Sequence, residues 1–231
     1  IKQSLSSNFS SVVNVFDAEN ASLLALIDGV TLTGYRTAAA AAVIADHCSC
    51  DDARQIAVLG AGHQAWFNLF MLLTIRNIKS VAIYSRGKKN IDLLKSKISN
   101  RFPKIETIIG NSPQQCVADS DIVLAATSST TPLFSSKQLK HNAHVSLIGG
   151  HSTTSREISH ADLSQHTLIT ENRQAAMEEA GEVHRLCMEP HEILQMQQDG
   201  LKNKLTIFSS VGSALLDLYF VQYLLDQAQH Y

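Results

Sequence analysis

The segment from residue 55 to residue 75 constrains the fold more strongly than any other part of the chain. A short apolar run, QIAVLG, leads into a turn with the pattern G-x-G-x-x-A, and an apolar stretch with helical spacing follows it. The run lacks polar alternation, which is typical of a strand buried on both faces of a parallel sheet. A strand, a glycine-rich turn and a helix in immediate succession predict the first unit of an α/β fold.

Strand and helix patterns continue to alternate along the chain. We predict further strands over 79–85, 104–110, 121–127, 144–150 and 168–172. We predict helices over 93–102, 112–120, 161–165 and 174–181, and a final helix from near Ser209 to Tyr231. This alternation predicts an α/β fold with a Rossmann-type, doubly wound parallel sheet.

The residues before this region have a different pattern. Residues 11–17 and 23–28 have the composition of two short strands with turn chemistry between them. A long Ala-rich helix should follow, with Thr33 as its N-terminal cap.

Composition excludes several classes of protein. The chain has 231 residues, a formal net charge of −2 and 45% hydrophobic residues. This charge argues against a dedicated nucleic-acid or membrane-surface protein, and no apolar stretch approaches the ~18 residues typical of a transmembrane helix. The first ten residues lack the apolar core of a secretory signal, and the four cysteines are too sparse for a disulfide framework or a metal site. We therefore expect a cytoplasmic protein without a metal centre.

The turn at residues 60–65 has the pattern of a dinucleotide-binding loop. Gly60 allows the tight turn, Gly62 lets the backbone approach a pyrophosphate, and Ala65 lets helix and strand pack closely. The N-terminus of the helix adds free N–H groups and a partial positive charge. We therefore expect a dinucleotide to bind at the turn, whose candidate contact residues are Gly60, Ala61, Gly62, His63 and Gln64.

The end of the second strand of this unit discriminates between the two nicotinamide dinucleotides. An NAD site normally places Asp or Glu there to bind the ribose 2′-hydroxyl. This chain has no acidic residue between Asp52 and Asp92, and it has four candidate phosphate ligands, which are Ser85, Arg86, Lys88 and Lys89. Because these groups suit a 2′-phosphate, the sequence favours NADPH. NADH stays open, and a solvated basic loop without a ligand is the alternative.

Several segments, taken in order, resemble the ornithine cyclodeaminase/mu-crystallin family. They are LIDGVTLTGYRTAAAAAVIADH (26–47), IAVLGAGHQA (56–65), DIVLAATSSTTPLF (121–134), HVSLIGG (144–150) with Arg156-Glu157, and EEAGEV (178–183). The resemblance implies an NAD(P)-binding Rossmann domain over 51–205 and a second, α+β domain for substrate binding and dimerisation. Residues 1–50 would form part of that second domain, and residues 206–231 would return to it as a helix. Family members are longer at the N-terminus, so the resemblance implies that part of this domain is absent.

The resemblance also implies a homodimer and assigns roles to three charged or titratable residues. Arg36 matches the arginine that holds the substrate carboxylate, and a guanidinium at a helix start suits that role; pairing with a neighbouring acid is the alternative. Lys2 either matches an active-site lysine or is a plain terminal lysine. His151 stands where ornithine cyclodeaminases carry an aspartate, and it would protonate an imine or a water unless it is an ordinary loop histidine.

Two further groups are expected beside the nicotinamide. One follows the fourth strand of the sheet and carries hydroxyls, and the other matches a family stretch near nicotinamide and substrate. These residues are Thr127, Ser128, Ser129, Val211 and Gly212. Asp217, in the same late stretch, is either a site acid or a plain helix acid, and we favour the helix acid.

Together these features predict an NADPH-dependent reductase of small cyclic ketimine carboxylates. Substrates such as Δ1-pyrroline-2-carboxylate or Δ1-piperideine-2-carboxylate would give proline or pipecolate. The protein's share would be positioning and electrostatics. An NAD-dependent ornithine cyclodeaminase is one alternative, which His151 and the basic strand end disfavour. A dehydrogenase of open-chain amino acids and an NADPH-dependent binding protein of mu-crystallin type are the others.

Overall fold

The computed structural model describes residues 11–149 and 156–228, so Lys2 and His151 lie outside the described residues. An antiparallel hairpin comes first, with β1 over Val12–Phe16 and β2 over Leu23–Asp28. Both strands confirm the prediction for this region. Helix α1 (Gly29–Cys48) follows directly.

The start of α1 differs from the prediction. Asp28 Oδ1 accepts the Thr31 N–H at 2.7 Å, which satisfies a free donor of the first turn. The helix therefore begins at Gly29. Thr33 lies inside the helix, and its predicted capping role is wrong.

A seven-stranded parallel sheet follows the hairpin and α1. Its strands are β3 (Gln55–Leu59), β4 (Ser80–Tyr84), β5 (Glu106–Ile109), β6 (Ile122–Ala125), β7 (His144–Leu147), β8 (Thr167–Ile169) and β9 (Thr206–Ser209). The strand order is β5-β4-β3-β6-β7-β9-β8, so β4 and β5 lie on one side of β3 and the later strands lie on the other side. Ligands of such folds bind at the carboxyl ends of the strands beside this reversal. The predicted Rossmann-type sheet is confirmed.

Helices lie between most successive strands of the sheet along the chain, and a last helix follows β9. They are α2 (His63–Ile75), α3 (Lys88–Arg101), α4 (Pro113–Ala118), α5 (His160–Leu163), α6 (Arg173–Ala180), α7 (Pro190–Leu194), α8 (Asp199–Lys202) and α9 (Ala214–Ala228), with 3₁₀ turns at Ser136–Gln138 and Glu182–Leu186. Helix α4 confirms its predicted start, since the Ser112 hydroxyl accepts the Gln115 N–H at 3.1 Å and Pro113 is its first residue. No helix of the described ranges is long and apolar enough to cross a membrane.

The core lies on both faces of the sheet. Along β3, Ile56 and Val58 pack into one apolar cluster, and Ala57 and Leu59 pack into the other. Helices cover both faces, and alternate side chains of a strand point to opposite faces. Every one of these four residues is therefore apolar, which explains the absence of alternation in this run.

The C-terminal region corrects the predicted helix from Ser209 to Tyr231. Residues Thr206–Ser209 form β9, which pairs with both β7 and β8, and α9 begins only at Ala214. Gly212, which lies between these two elements, has φ of +84° and interrupts the regular structure. Strand β9 lies past the boundary predicted at residue 205 and yet belongs to the large sheet. The division into domains otherwise stays a prediction.

Among the described residues, the hairpin and α9 each expose apolar side chains. On the hairpin, Val12 and Leu26 are 67% and 65% exposed. On α9, Leu218 is 62% exposed, and Val221 is the only buried residue within Ala214–Ala228. These faces are available for contact with another polypeptide.

Candidate active site

A cleft of about 410 Å³ opens at the carboxyl ends of β3, β4 and β6. It lies at the reversal of strand order, where α/β folds bind nucleotides. The structure brings together in its wall eight of the predicted cofactor residues, which are Gly60, Ala61, Gly62, Ser85, Arg86, Thr127, Ser128 and Ser129. Tyr84 and Asn90 also line it and had no signal in the sequence analysis.

Different structural features explain why each of the two turn positions, Gly60 and Gly62, is a glycine. Gly60 has φ of +94°, and a Cβ there would lie 2.4 Å from the carbonyl oxygen of Ala126. A Cβ on Gly62 would meet no atom of the described residues within 4 Å. Helix α2 starts directly after Gly62, and within the described part of the chain no side chain caps it. The space above Gly62 and the first N–H groups of α2 are thus available to an anionic ligand.

The side chains of His63 and Gln64 contact other side chains of α2. The His63 ring packs edge-on against Phe67 with 4.7 Å between ring centroids, and the Gln64 side-chain oxygen accepts an N–H of the Asn68 side chain at 3.4 Å. Neither residue is among those that line the cleft. Contact of their backbone N–H groups with a cofactor stays a prediction.

The basic residues after β4 are divided by the start of α3. Arg86 lines the cleft. Lys88 and Lys89 lie exposed in the first turn of α3 and are not among the residues that line the cleft. The predicted boundary of α3, residue 93, is wrong by a full turn. Among the described residues that line the cleft there is no Asp or Glu.

A buried carboxyl group, to which the sequence analysis assigned no role, lies behind this cleft. Glu157 Oε1 accepts the Thr127 N–H and the Thr127 hydroxyl, each at 2.7 Å, and Oε2 accepts the Gly149 N–H at 3.1 Å. Burial raises the pKa of Glu157 to about 7, and the three hydrogen bonds, which favour the ionised form, only partly offset it.

This raised pKa predicts a pH-dependent stability. The folded form holds the Glu157 proton more tightly than the unfolded chain, whose pKa is near the ordinary value of 4.5. The stabilisation is therefore complete below pH 4.5 and is lost as the pH rises through about 7. The expected loss is about 3 kcal/mol of unfolding free energy. Urea unfolding at several pH values between about 5 and 8 measures it.

The variant Glu157→Gln is the control for this pH dependence. Glu171 and buried His144 also have shifted pKa values, so only the difference between the two proteins isolates Glu157. We expect a shallower decline of stability with rising pH in the variant. Identical slopes in both proteins would contradict the assignment.

A second cavity of about 380 Å³ lies between α1 and α9 and contains Arg36. The Arg36 side chain is 12% exposed, and its Nε donates to Asp217 Oδ1 at 2.9 Å. Its Nη1 is buried, and none of the described groups bonds to it. The interpretation of Asp217 as a plain helix acid is therefore wrong. Arg36 pairs with an acid, as the alternative held, and still retains an unused donor.

The turn after β9 packs against this guanidinium. A Cβ on Gly212 would lie 2.9 Å from Arg36 Nη1, and the Val211 N–H donates to Glu171 Oε2 at 3.2 Å. The Ser210 hydroxyl also donates to Glu171. Val211 and Gly212 thus lie beside Arg36 and are not among the residues that line the dinucleotide cleft; their contact with a cofactor stays a prediction.

Glu171 is a second carboxyl group at Arg36 that the sequence analysis missed. Burial raises its pKa, while its hydrogen bonds and the positive charge of Arg36 act in the opposite direction. Arg36 is therefore flanked by Asp217 and Glu171, and apolar side chains form most of the cavity around them, including Phe208, Leu216 and Phe220. In the described residues, no three His, Cys, Asp or Glu side chains are arranged to hold a metal ion.

Comparison of the sequence with known proteins identifies relatives along most of the chain. The Delta(1)-pyrroline-2-carboxylate reductase of Bacillus thuringiensis subsp. konkukian is 27% identical over 231 residues, which cover 94% of this chain and 70% of that protein. The ketimine reductase mu-crystallin of Rattus norvegicus is 27% identical over 218 residues, covering 93% of this chain and 68% of that protein.

Solved structures share the fold. The Thermococcus litoralis Delta(1)-pyrroline-2-carboxylate reductase, in complex with NADH and L-proline, superposes with a TM-score of 0.81 at 21% identity, covering 96% of this chain and 72% of that one. A probable ornithine cyclodeaminase from Bordetella pertussis Tohama I gives a TM-score of 0.83 at 24% identity, covering 94% and 73%. The family model for ornithine cyclodeaminase/mu-crystallin proteins matches residues 2–231. The predicted resemblance is confirmed, and this chain belongs to the ornithine cyclodeaminase/mu-crystallin family.

Proposed function

We propose that the protein is a nicotinamide-dependent reductase of small cyclic ketimine carboxylates, with Δ1-pyrroline-2-carboxylate or Δ1-piperideine-2-carboxylate as substrate. The observation that carries the proposal is the unused, buried Nη1 of Arg36, in a chain that also has a dinucleotide cleft. A guanidinium donor without a partner inside an apolar cavity suits a carboxylate ligand. The relatives named as pyrroline-2-carboxylate and ketimine reductases support this substrate class.

The cleft fits a nicotinamide dinucleotide. Gly62 leaves room for a pyrophosphate, the start of α2 offers N–H groups, and Thr127 to Ser129 form the wall on the side of β6. When bound, the nicotinamide supplies the hydride for the imine carbon. The NADH complex of the Thermococcus litoralis enzyme supports this cofactor class.

The protein's own residues would hold the substrate and a proton. Arg36 would bind the carboxylate through Nη1 while Asp217 keeps the guanidinium in place. Glu171 has a raised pKa beside Arg36 and would hold a proton on its carboxyl for the imine nitrogen. The predicted roles of Lys2 and His151 stay predictions, since both residues lie outside the described ranges.

We expect NADPH to be preferred over NADH because Arg86 lines the cleft and no acid does so among the described residues. Changing Arg86 to Ala should weaken NADPH binding by ~tenfold or more, through loss of a charge-assisted bond to the 2′-phosphate. NADH affinity should change by less than about twofold, because NADH lacks that phosphate. Equilibrium binding followed by nucleotide fluorescence measures both dissociation constants.

Lys95→Ala is the matched control for this prediction. Lys95 is exposed on α3 and lies outside the cleft, so its loss changes the net charge equally without removing a ligand. Its NADPH affinity should be unchanged. Equal weakening of NADPH and NADH by Arg86→Ala would contradict the assignment of Arg86 to the 2′-phosphate.

We further propose a cytoplasmic homodimer. The exposed apolar side chains of the β1–β2 hairpin, among them Val12, Phe16 and Leu26, support a contact with a second copy. The cysteines Cys48, Cys50, Cys116 and Cys187 are free thiols, which suits a reducing compartment. Light scattering of the purified protein tests the dimer, and a monomeric mass would contradict it.

The reductase is tested by initial rates with the purified protein. Oxidation of NADPH and NADH would be followed with Δ1-pyrroline-2-carboxylate and with Δ1-piperideine-2-carboxylate. Because a cyclodeaminase reoxidises the NADH that it forms, the reaction of ornithine with NAD⁺ would be followed by the release of proline. We expect the protein to turn over at least one of the two cyclic imines and not to turn over ornithine. Release of proline from ornithine would favour the cyclodeaminase. Nucleotide binding without any turnover would favour the binding protein.

A further inference from the structure

The Glu157 carboxyl group connects the ends of two adjacent strands. Sheet pairing between β3, β6 and β7 ends with the Ala126 and Ile148 N–H groups, which donate to Leu59 and Ala125. The next donors after these strand ends are the N–H groups of Thr127 and Gly149, and both donate to Glu157. The carboxylate therefore supplies the acceptors that the carbonyl groups of a longer sheet would otherwise provide.

The approach of the two strand ends is unusually close. A Cβ on Gly149 would lie 1.9 Å from the Thr127 carbonyl oxygen and 2.8 Å from Glu157 Oε1. Only glycine leaves room there for the backbone and the carboxylate together. The position of Thr127 is thus determined by Gly149 on one side and by two hydrogen bonds to Glu157 on the other.

The backbone next to Glu157 holds the same loop at two further points. The Arg156 N–H donates to the Ser129 carbonyl at 2.8 Å, and the Leu133 N–H donates to the Glu157 carbonyl at 2.9 Å. Residues of the loop 127–133 form one wall of the dinucleotide cleft. Glu157 itself is 2% exposed and is not among the residues of that wall.

A buried carboxyl group is energetically unfavourable at a position whose role is purely structural. Removing it from water carries a desolvation cost, and apolar side chains of similar size often stabilise such sites better. Here two backbone N–H groups and a hydroxyl converge on its oxygens. We propose that Glu157 is a positioning residue, which holds the loop 127–133 in the conformation that binds the nicotinamide dinucleotide. The inference rests on the proposed function, because it presupposes that ligand in the cleft.

The test compares the variants Glu157→Gln and Asp162→Asn with the unmodified protein at pH ~8, above the raised pKa of Glu157. In Glu157→Gln the new amide keeps an oxygen for Thr127 but turns an NH₂ group toward the Gly149 N–H. Asp162 is another carboxylate that accepts several hydrogen bonds, from Ser135, Ser136 and Ser159, and none of these partners lines the cleft. Both variants should lower the melting temperature, so stability alone does not separate them.

Two readouts separate positioning from stability. The first is amide hydrogen exchange in the absence of nucleotide, which should accelerate over 127–133 in Glu157→Gln and stay unchanged there in Asp162→Asn. The second is the dissociation constant of NADPH and of NADH, which should rise by ~tenfold in Glu157→Gln only. The conservative variant Glu157→Asp retains the charge. Its exchange rates and dissociation constants should lie between those of the unmodified protein and those of Glu157→Gln, and it replaces Glu157→Gln in the test if that variant does not fold.

Unchanged nucleotide affinity in Glu157→Gln, alongside a melting temperature lowered as in Asp162→Asn, would overturn the positioning role. That outcome leaves the proposed reductase intact, because the unmodified protein still binds the nucleotide. Failure of the unmodified protein to bind either NADPH or NADH would instead overturn the proposed function, and the positioning role with it.

Discussion

Replacement of Arg36 by Met is expected to lower kcat/KM for the cyclic ketimine carboxylate by ~10²–10³-fold. The change removes a positive charge and the unused Nη1 donor but keeps most of the length of the side chain. Losing a desolvated, charge-assisted contact with a carboxylate costs about 3–4 kcal/mol, which corresponds to this factor in rate. It also leaves Asp217 without its partner and Glu171 without a nearby positive charge. Steady-state kinetics with NADPH in excess measures the loss.

Arg76→Met is the matched control for Arg36→Met. The Arg76 side chain is 9% exposed and pairs with Asp46 at 2.9 Å, so its burial and its ion pair resemble those of Arg36. It is not among the residues that line the Arg36 cavity or the dinucleotide cleft. The control should lose stability and keep its kcat/KM. An Arg36→Met variant with reduced stability and unchanged kcat/KM would contradict the role of Arg36 as the carboxylate ligand.

Substitution of the two glycines of the dinucleotide turn is expected to have large but different effects. Gly60→Ala should lower the free energy of unfolding by about 2–5 kcal/mol, because the backbone has a positive φ and the new Cβ collides with the Ala126 carbonyl. Gly62→Ala should leave stability nearly unchanged, since φ of −89° and ψ of −166° suit any residue and the Cβ meets nothing. Its methyl group nevertheless occupies the space needed by the pyrophosphate, so nucleotide affinity should fall by ~10–10²-fold.

Denaturant unfolding and nucleotide binding, measured on the same samples, test this pair. Gly200→Ala serves as control, because Gly200 lies exposed in α8 and its Cβ would also meet nothing within 4 Å. The control should preserve both stability and affinity. A Gly62→Ala protein that binds NADPH as tightly as the unmodified protein would show that no pyrophosphate approaches this turn.

Local signals in the sequence predict the central strands and helices well. The G-x-G-x-x-A turn predicts β3, α2 and the cleft that the turn lines, because close packing and backbone freedom are properties of those few residues. Ser112 and Pro113 predict the start of α4 for the same reason. The short run TIFS carries no such signal, since a run of this length fits a strand or the start of a helix equally. Its pairing with β7 and β8 decides the outcome.

The acids of the candidate site illustrate what local patterns leave undetermined. Asp217 pairs with Arg36 across 181 residues of sequence, and Glu171 accepts the Ser210 hydroxyl across 39. Glu157 bonds to Thr127 across 30 residues. Each of these carboxyl groups has an ordinary sequence environment, and only the packing of distant elements creates its role.

The basic residues after β4 show a related limit. Their charges are evident in the sequence, but which of them reaches the cleft depends on where the next helix begins. Because α3 starts at Lys88, the side chains of Lys88 and Lys89 lie outside the cleft lining and Arg86 lies within it. No capping side chain precedes this helix, since its N-cap is Gly87, so the sequence carries no clear signal for its start.

The most direct test of the proposed reductase follows the hydride itself. The purified protein would be incubated with Δ1-pyrroline-2-carboxylate and NADPH that carries deuterium in both C4 positions of the nicotinamide, and the product analysed by mass spectrometry and NMR. The account predicts proline with one deuterium on Cα for each NADPH oxidised. Proline without deuterium, or no proline from a protein that binds NADPH, would contradict the transfer of hydride to the imine carbon.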